Sequence, residues 1–313
     1  MKILSQATLQ SLKDYVTQHC RPLEAAYFGF LLGETAVAPF VAELQSFQNP
    51  DGGFGHGLEP DFWLPDSSPM ATSMAFRWLT GLPVDKQLPL IQRGIDYYEA
   101  TFRPAGQQWL PTGPAVNQHP HAPWWHRDET PSADSSDSKG WDGNPSAEII
   151  GHVLRYRGSD SQLDLDALVG RAIAHLAQQE RYETHEIQCY LKLYGQLPAN
   201  LQAEVLLLLR TAVLSLVVAD TSQWGDYVPK PLDFVDSPES VLYADLKDLV
   251  SIQLDALVEE IEQTGFCAPT WTWGGDDANW QKARQWWIGV LTCDAVAKLK
   301  HFGRLEGLLI STP

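Results

Sequence analysis

The sequence predicts an all-α fold, an (α/α)6 toroid, on three observations. Apolar residues recur at helical spacing from end to end. No alternating run lasts long enough to read as a strand. Three segments open on the same signal, a good N-cap residue followed by proline: Ser68-Pro69, Asn144-Pro145 and Ser237-Pro238. Proline at the first helical position costs nothing, because its missing N–H would have no intrahelical partner. Repeated helical hairpins of this kind need neighbours on both sides. An open row exposes two apolar end faces, whereas six hairpins closed into a ring hide them and leave a central cavity. The chain reads as one such domain over 1–313, with a long inserted mouth loop at 103–143.

The elements follow in order. Leu9, Leu12 and Val16 mark a first helix; Leu23 to Leu32, stopped by Gly33, a second. Phe40, Val41, Leu44 and Phe47 mark a third, which runs through QNPDGGFGHGLEPDF (Gln48 to Phe62) and returns at Ala71, Met74, Ala75, Trp78 and Leu79. Leu88, Ile91, Ile95, Tyr98 and Phe102 lead into the long loop and a return at Ala147, Ile150 and Leu154. Leu165, Leu168, Val169, Ala172 and Leu176 pair with Ile187, Tyr190, Leu191 and Tyr194. Leu201 to Ala219 pairs with a short helix at about 238–246. Leu254, Leu257, Val258 and Ile261 pair with Ala283, Trp286, Trp287, Val290 and Leu291. In a toroid the loops within these pairs share one mouth, toward which the inner-helix N-termini point.

With 313 residues, 44% of them hydrophobic, the chain can bury a large core without staples. Cys20, Cys189, Cys267 and Cys293 are scattered, with no C-x-x-C pair, and read as free thiols of a reducing compartment. The start, MKILSQATLQ, lacks an apolar run of signal-peptide length, so the expectation is cytoplasmic. The longest apolar run, Val205 to Ala219, is 15 residues with Arg210 inside it, short of the ~20 that span a bilayer, and reads as a buried helix. A net charge of -17 repels phosphate backbones and argues against a nucleic-acid partner. Among the 12 tryptophans, Trp63, Trp124, Trp125, Trp141, Trp224, Trp271 and Trp273 fall in expected turns, where they line a ligand or cap the apolar ends of helix pairs.

The glycine-rich stretch is no phosphate cradle, since it lacks the strand before it and the GK[ST] after it. In a helix-turn setting, N-P-D-G-G ends the outer helix and reverses the chain, Gln48 bonds the freed backbone groups and Phe54 packs over them. Q-x-P-D-G-G-F-G followed by S-S-x-x-A-T-x-x-A-x-x-x-L, sharp over Leu44 to Leu79, resembles the repeat of the terpenoid cyclase and protein prenyltransferase toroid superfamily. Gln223-Trp224-Gly225 and Trp273-Gly274-Gly275-Asp276 echo it. The resemblance implies the toroid fold but not the chemistry: the D-x-D-D of squalene-type cyclases, the D-x-C zinc motif of protein prenyltransferases and the aspartate-rich diphosphate motifs are all missing. Toroids of this layout also serve sugar-cleaving enzymes and lyases, which use acids and aromatics around the mouth.

Candidate chemistry lies in the mouth loops. His56, Glu59 and Asp61 follow the glycine turn and could do general acid and base work, or form a solvated acidic turn. Asp276 and Asp277, beside Trp271, Trp273 and Trp280, form a second acidic and aromatic cluster, in which one carboxylate caps the final helix. Asp226 and Tyr227 follow Trp224. The long loop carries Trp125, His126, Asp128, Trp141 and Asp142, and reads as a lid or a surface segment, with Glu148 one turn into the next helix. His119-Pro120-His121 gives no fixed face for a metal, so neither metal nor cofactor is expected. Glu183, His185 and Glu186 open a further helix, which suits either a neutral histidine base or acids that complement the dipole. The expected ligand is a small molecule or oligosaccharide, with Glu59, Asp61 and Asp276 catalytic and His56, Trp63, Trp125, His126, Trp141, Asp142, Asp226, Tyr227, Trp273 and Asp277 contacting it. The alternatives are an isoprenoid-processing protein and a non-catalytic binding toroid.

Overall fold

A computed structural model describes residues 1–127, 140–275 and 277–307. Among the described residues the chain is all-α, with eleven α-helices and only isolated β-bridges. They are α1 (Gln6–His19), α2 (Pro22–Leu31), α3 (Ala38–Gln45), α4 (Pro69–Thr80), α5 (Pro89–Thr101), α6 (Gly143–Tyr156), α7 (Leu165–Gln178), α8 (Thr184–Tyr194), α9 (Ala199–Leu216), α10 (Tyr243–Thr264) and α11 (Ala278–His301). They divide into two compact units, residues 45–216 and residues 1–44 with 217–313.

In the 45–216 unit, α6 is the core helix and packs against α4, α5, α7 and α8. It can do so because Ala147, Ile149, Ile150 and Val153 are apolar and Gly151 lets the α8 backbone approach: a Cβ there would stand 3.1 Å from Leu193 Cα. Phe76, Leu79, Ile91, Ile95, Tyr98, Ile187 and Tyr190 close round it. The Ser68 hydroxyl accepts the Ala71 N–H at 3.1 Å, as its cap signal predicts. The cap of α6 is instead Asp142, which accepts the Asn144 N–H at 2.8 Å, while Asn144 itself is non-helical.

Two expectations are corrected. Ser237-Pro238 opens no helix, because the Ser240 hydroxyl accepts the N–H groups of Asp236 and Ser237 and holds a turn. The helix beyond it is α10, one continuous element that merges the expected short helix at 238–246 with the one after it. Its buried stripe of Leu246, Val250, Leu254, Val258 and Ile261 runs unbroken, with neither glycine nor proline before Gly265. Eleven helices therefore stand where twelve were expected. Second, α9 is not buried: it hides Val205, Leu209, Ala212 and Val213 but leaves Leu207 65% and Leu214 48% exposed. Among the described residues it is the one helix long and apolar enough to cross a membrane, by length and composition.

In the other unit α2 packs against both α1 and α11. Arg21 and Glu24 form a buried ion pair at 2.6 Å, and Gly289 of α11 sits against Glu24 and Cys20. A parallel bridge joins Leu4 to Leu305, with Leu4 N–H donating to Arg304 C=O at 2.8 Å and Glu306 N–H to Leu4 C=O at 2.9 Å.

The turn between α3 and α4 is built as its residues demand. Gln48 Nε2 donates to the carbonyls of Gly52 and Leu90, both at 2.8 Å, and Arg93 donates to its Oε1. Gly52 adopts φ +92°, and a Cβ there would lie 2.2 Å from the Arg93 carbonyl oxygen. At Gly55 a Cβ would lie 2.3 Å from Pro65 O and 2.4 Å from Asp66 O. Those are backbone atoms and cannot swing aside. Gly55→Ala is expected to cost about 2 kcal/mol or more. Gly170→Ala, on the exposed side of α7 with nothing within 4 Å, is expected to stabilise by about 0.5–1 kcal/mol. Urea titrations of the two variants measure both.

Candidate functional site

The glycine turn delivers the chain into a compact segment, residues 56–64, whose carboxylates are buried. Glu59 and Asp61 are each 5% exposed. The Asp61 N–H donates to Glu59 Oε1 at 3.2 Å, and the Phe62 N–H to the Glu59 carbonyl at 3.3 Å, so both residues belong to one tight turn. Trp63 Nε1 donates to the Pro60 carbonyl at 3.0 Å, fixing the indole beside them.

The first part of the long loop docks on this segment. Ala122 N–H donates to the Asp61 carbonyl at 2.7 Å and Trp63 N–H to the Pro120 carbonyl at 2.9 Å, flanking a bridge between Phe62 and His121. Trp125 meets Phe62 edge-on at 5.1 Å, the His121 and His126 rings stack at 5.6 Å, and Arg127 lies 5.5 Å over the Trp125 ring. The Trp125 indole N–H is buried without a hydrogen-bond partner among the described residues. The segment that carries Glu59, Asp61 and Trp63 and the part of the loop that carries Trp125 and His126 thus lie side by side. Asp128 and the serine-rich part of the loop lie outside the described residues.

His56 takes a structural place. With φ +57° it is exposed, and its Nε2 lies 2.9 Å from Asn49 Oδ1, within the glycine turn itself. Trp141 and Asp142 form a second cluster of the unit. Trp141 is buried, donates to the Gln107 carbonyl at 2.8 Å and packs on His175 at 5.0 Å. Glu186 accepts from Gly143 N–H at 2.9 Å and from Gln179, and lies 3.0 Å from His175 Nε2. Burial pushes the Glu186 carboxyl up, but the bonds from His175, Gly143 and Gln179 outweigh it and hold it below its ordinary value.

Beneath α4 and α6 lies a charged centre that the sequence reading touched only at Glu148. Arg77 Nε and Nη2 grip the two oxygens of Glu148 at 2.9 and 2.7 Å, and Glu148 is wholly buried. Burial pushes the Glu148 carboxyl up, but Arg77, by charge and hydrogen bonds, overrides it and brings it down to about 2. One turn on, His152 is 3% exposed and stacks on Phe76 at 5.1 Å and Tyr98 at 6.2 Å. Its Nδ1 is buried with no hydrogen-bond partner among the described residues, and burial lowers its pKa to about 3. The available signal was a glutamate and a histidine four apart within the otherwise apolar stretch Ala147 to Leu154.

The remaining candidates belong to the unit of residues 1–44 and 217–313. Asp277 caps α11, accepting the Trp280 N–H at 2.8 Å, and Trp273 packs 6.2 Å from Trp280. Tyr227 is 59% exposed and meets Trp271 edge-on at 5.4 Å, and Asp226 is exposed beside it. Asp276 lies outside the described residues. A surface depression of about 480 Å³ in this unit is bounded by Trp224, Ile252, Asp255 and Glu259, and includes none of the candidate carboxylates. No group of acids, histidines and cysteines with metal-binding geometry occurs among the described residues. No protein-family model, curated protein or solved structure matches the chain.

The charged centre sets an acid limit on stability. His152 has a folded pKa of about 3 against an ordinary 6.5, so the unfolded chain binds the extra proton between those values. Stability from this group is complete above pH 6.5 and drains as pH falls toward 3. Glu148, about 2 against 4.5, begins to drain only below pH 4.5. Urea unfolding between pH 6.5 and 4.5 therefore separates the histidine from Glu148. The wild type is expected to lose up to about 1.4 kcal/mol per pH unit there through His152. His152→Leu is expected to flatten that slope, whatever its absolute stability.

Proposed function

We propose that the protein is a carbohydrate-active hydrolase or lyase, with Glu59 and Asp61 as its acid and base groups and Trp63 and Trp125 as stacking surfaces for an uncharged or sugar-like ligand. One observation carries the reading: two carboxylates, each 5% exposed, occupy one tight turn roofed by an aromatic loop. Two carboxylates held near one another are how proteins run acid and base chemistry on glycosidic bonds. The aromatic faces suit sugar rings. The missing diphosphate motifs and the net charge of -17 disfavour an isoprenoid diphosphate. The architecture proposed for the whole chain is the α/α toroid of the superfamily that its Gln48 turn resembles, and the Ser68 cap and the turn's hydrogen bonds support that reading. Four free cysteines, three of them buried, suit the cytoplasm proposed for it.

Release of reducing ends from neutral polysaccharides, or of unsaturated ends from uronate-containing ones, by the purified chain tests the activity. Glu59→Gln and Asp61→Asn are each expected to lower turnover at least about 100-fold, the usual weight of an acid or base group. The melting temperature should stay near that of the wild type. Undiminished turnover in both variants removes the two carboxylates from the chemistry. Glycans that raise the wild-type melting temperature without being cleaved would point to a binding protein instead.

A further inference from the structure

The docked part of the long loop brings two imidazoles together. His121 Nε2 and His126 Nδ1 lie 3.4 Å apart, and the two rings are within 23° of parallel. The His119 carbonyl, which can only accept, lies 2.7 Å from His121 Nδ1. That nitrogen therefore carries the ring proton, and Nε2 of the neutral ring keeps its lone pair. Metal-binding histidines are oriented in the same manner, through the N–H opposite the ligating nitrogen. A separation of 3.4 Å is long for a hydrogen bond, whose usual length from a nitrogen donor is about 2.9–3.0 Å. Two imidazole nitrogens bound at about 2.0–2.1 Å to one tetrahedral zinc ion stand about 3.3–3.4 Å apart. Backbone bonds hold both residues. The Phe62–His121 bridge, with the bonds of Ala122 to Asp61 and of Trp63 to Pro120, pins the first. Trp125 N–H to the Ala122 carbonyl at 2.9 Å and His126 N–H to the Pro123 carbonyl at 3.2 Å turn the chain back to the second, and Asn117 Oδ1 accepts the Arg127 N–H at 2.9 Å just beyond it. Little chain entropy is lost when such a pair takes up a ligand.

We propose that His121 and His126 form a binding site for a divalent ion of the zinc class, held through Nε2 of the first and Nδ1 of the second. Imidazole suits such ions, whereas calcium and magnesium take oxygen ligands. No group of three or more acids, histidines and cysteines with metal-binding geometry occurs among the described residues. The ion therefore has two protein ligands, water fills its other positions, and it exchanges, unlike the zinc of a closed four-ligand site. The sequence sets His119 beside His121 on a backbone with no fixed face; the folded loop pairs His121 with His126 instead. The charged residues of the two packed segments, 56–64 and 119–127, are Glu59, Asp61 and Arg127, two acids to one base, in a protein whose net charge is -17. A cation is not opposed there. Trp125 lies between the two ligands in the chain, so a bound ion fixes the turn that sets its indole against Phe62. The inference stands apart from the carbohydrate reading.

Calorimetric titration of the tag-free, chelator-treated full chain with zinc chloride tests this. The wild type is expected to bind one ion per chain saturably, and zinc to raise its melting temperature. Loss of even an outer partner of a metal ligand commonly costs about 10–100-fold in affinity, so His121→Gln and His126→Gln should each weaken zinc binding at least about 10-fold. His119→Gln keeps the backbone carbonyl that orients His121 and should bind zinc as the wild type does. None of the three side chains is buried, so melting without zinc should match the wild type in every variant. Absence of saturable binding in the wild type overturns the proposal. Wild-type affinity in the double variant His121→Gln/His126→Gln overturns it too, by assigning the ion to other acids and histidines, and so does loss of binding in His119→Gln alone. None of these outcomes bears on Glu59 and Asp61, whose test is turnover.

Discussion

The Gln48 side-chain amide is the constraint on which the rest of the 45–216 unit depends. Its Nε2 reaches two carbonyls, Gly52 in its own turn and Leu90 at the start of α5, so one group closes the turn and joins it to the next helix. The glycines then let the chain pass within contact of the Arg93, Pro65 and Asp66 backbones, where no side chain fits. Phe54, wholly buried, donates its N–H to the Thr72 hydroxyl at 3.0 Å and accepts the Ser68 N–H at 3.1 Å. The same few residues thereby fix where α3 stops, where α4 begins, and where the intervening Glu59 and Asp61 must lie.

Buried charge is handled in different ways within the fold. Arg21 and Glu24 pair within one turn, with both side chains buried and the guanidinium 5.2 Å from the Trp286 ring, an arrangement with no outward face. Glu186 is met by a histidine, a glutamine and a backbone N–H, which use its oxygens among neighbours. Arg77 and Glu148 differ, since the acid is sealed and the base is partly open. The turn that buries Glu59 and Asp61 supplies a second set of oriented polar groups in the same unit, and the docked loop adds aromatic faces to it.

Local chemistry was legible where a residue's role is satisfied by neighbours in sequence. Ser68 caps α4 because the hydroxyl needs to reach only three residues, and Asp277 caps α11 for the same reason. Ser237-Pro238 carried the same letters but no helix, because Ser240 competed for the freed N–H groups. The unbroken stripe of α10 was visible too, yet the expected hairpin repeat divided it. The apolar run of α9 showed that a helix forms; which residues of it find neighbours was not in the run itself, since nearly every position is apolar.

Sequence by itself determined that the chain is helical, where most helices start and stop, and that a glutamine- and glycine-built turn precedes α4. Those features are set by backbone geometry and hydrogen bonds spanning a few residues. The tertiary structure alone decided that Arg77 meets Glu148 across 71 positions, that Trp109 donates to the Tyr98 carbonyl, and that Trp63 and Pro120 hold the long loop against the acidic turn. Each joins groups far apart along the chain. Their encounter depends on how helices pack, and packing is decided by the shapes of many side chains together, which no single stretch of letters records.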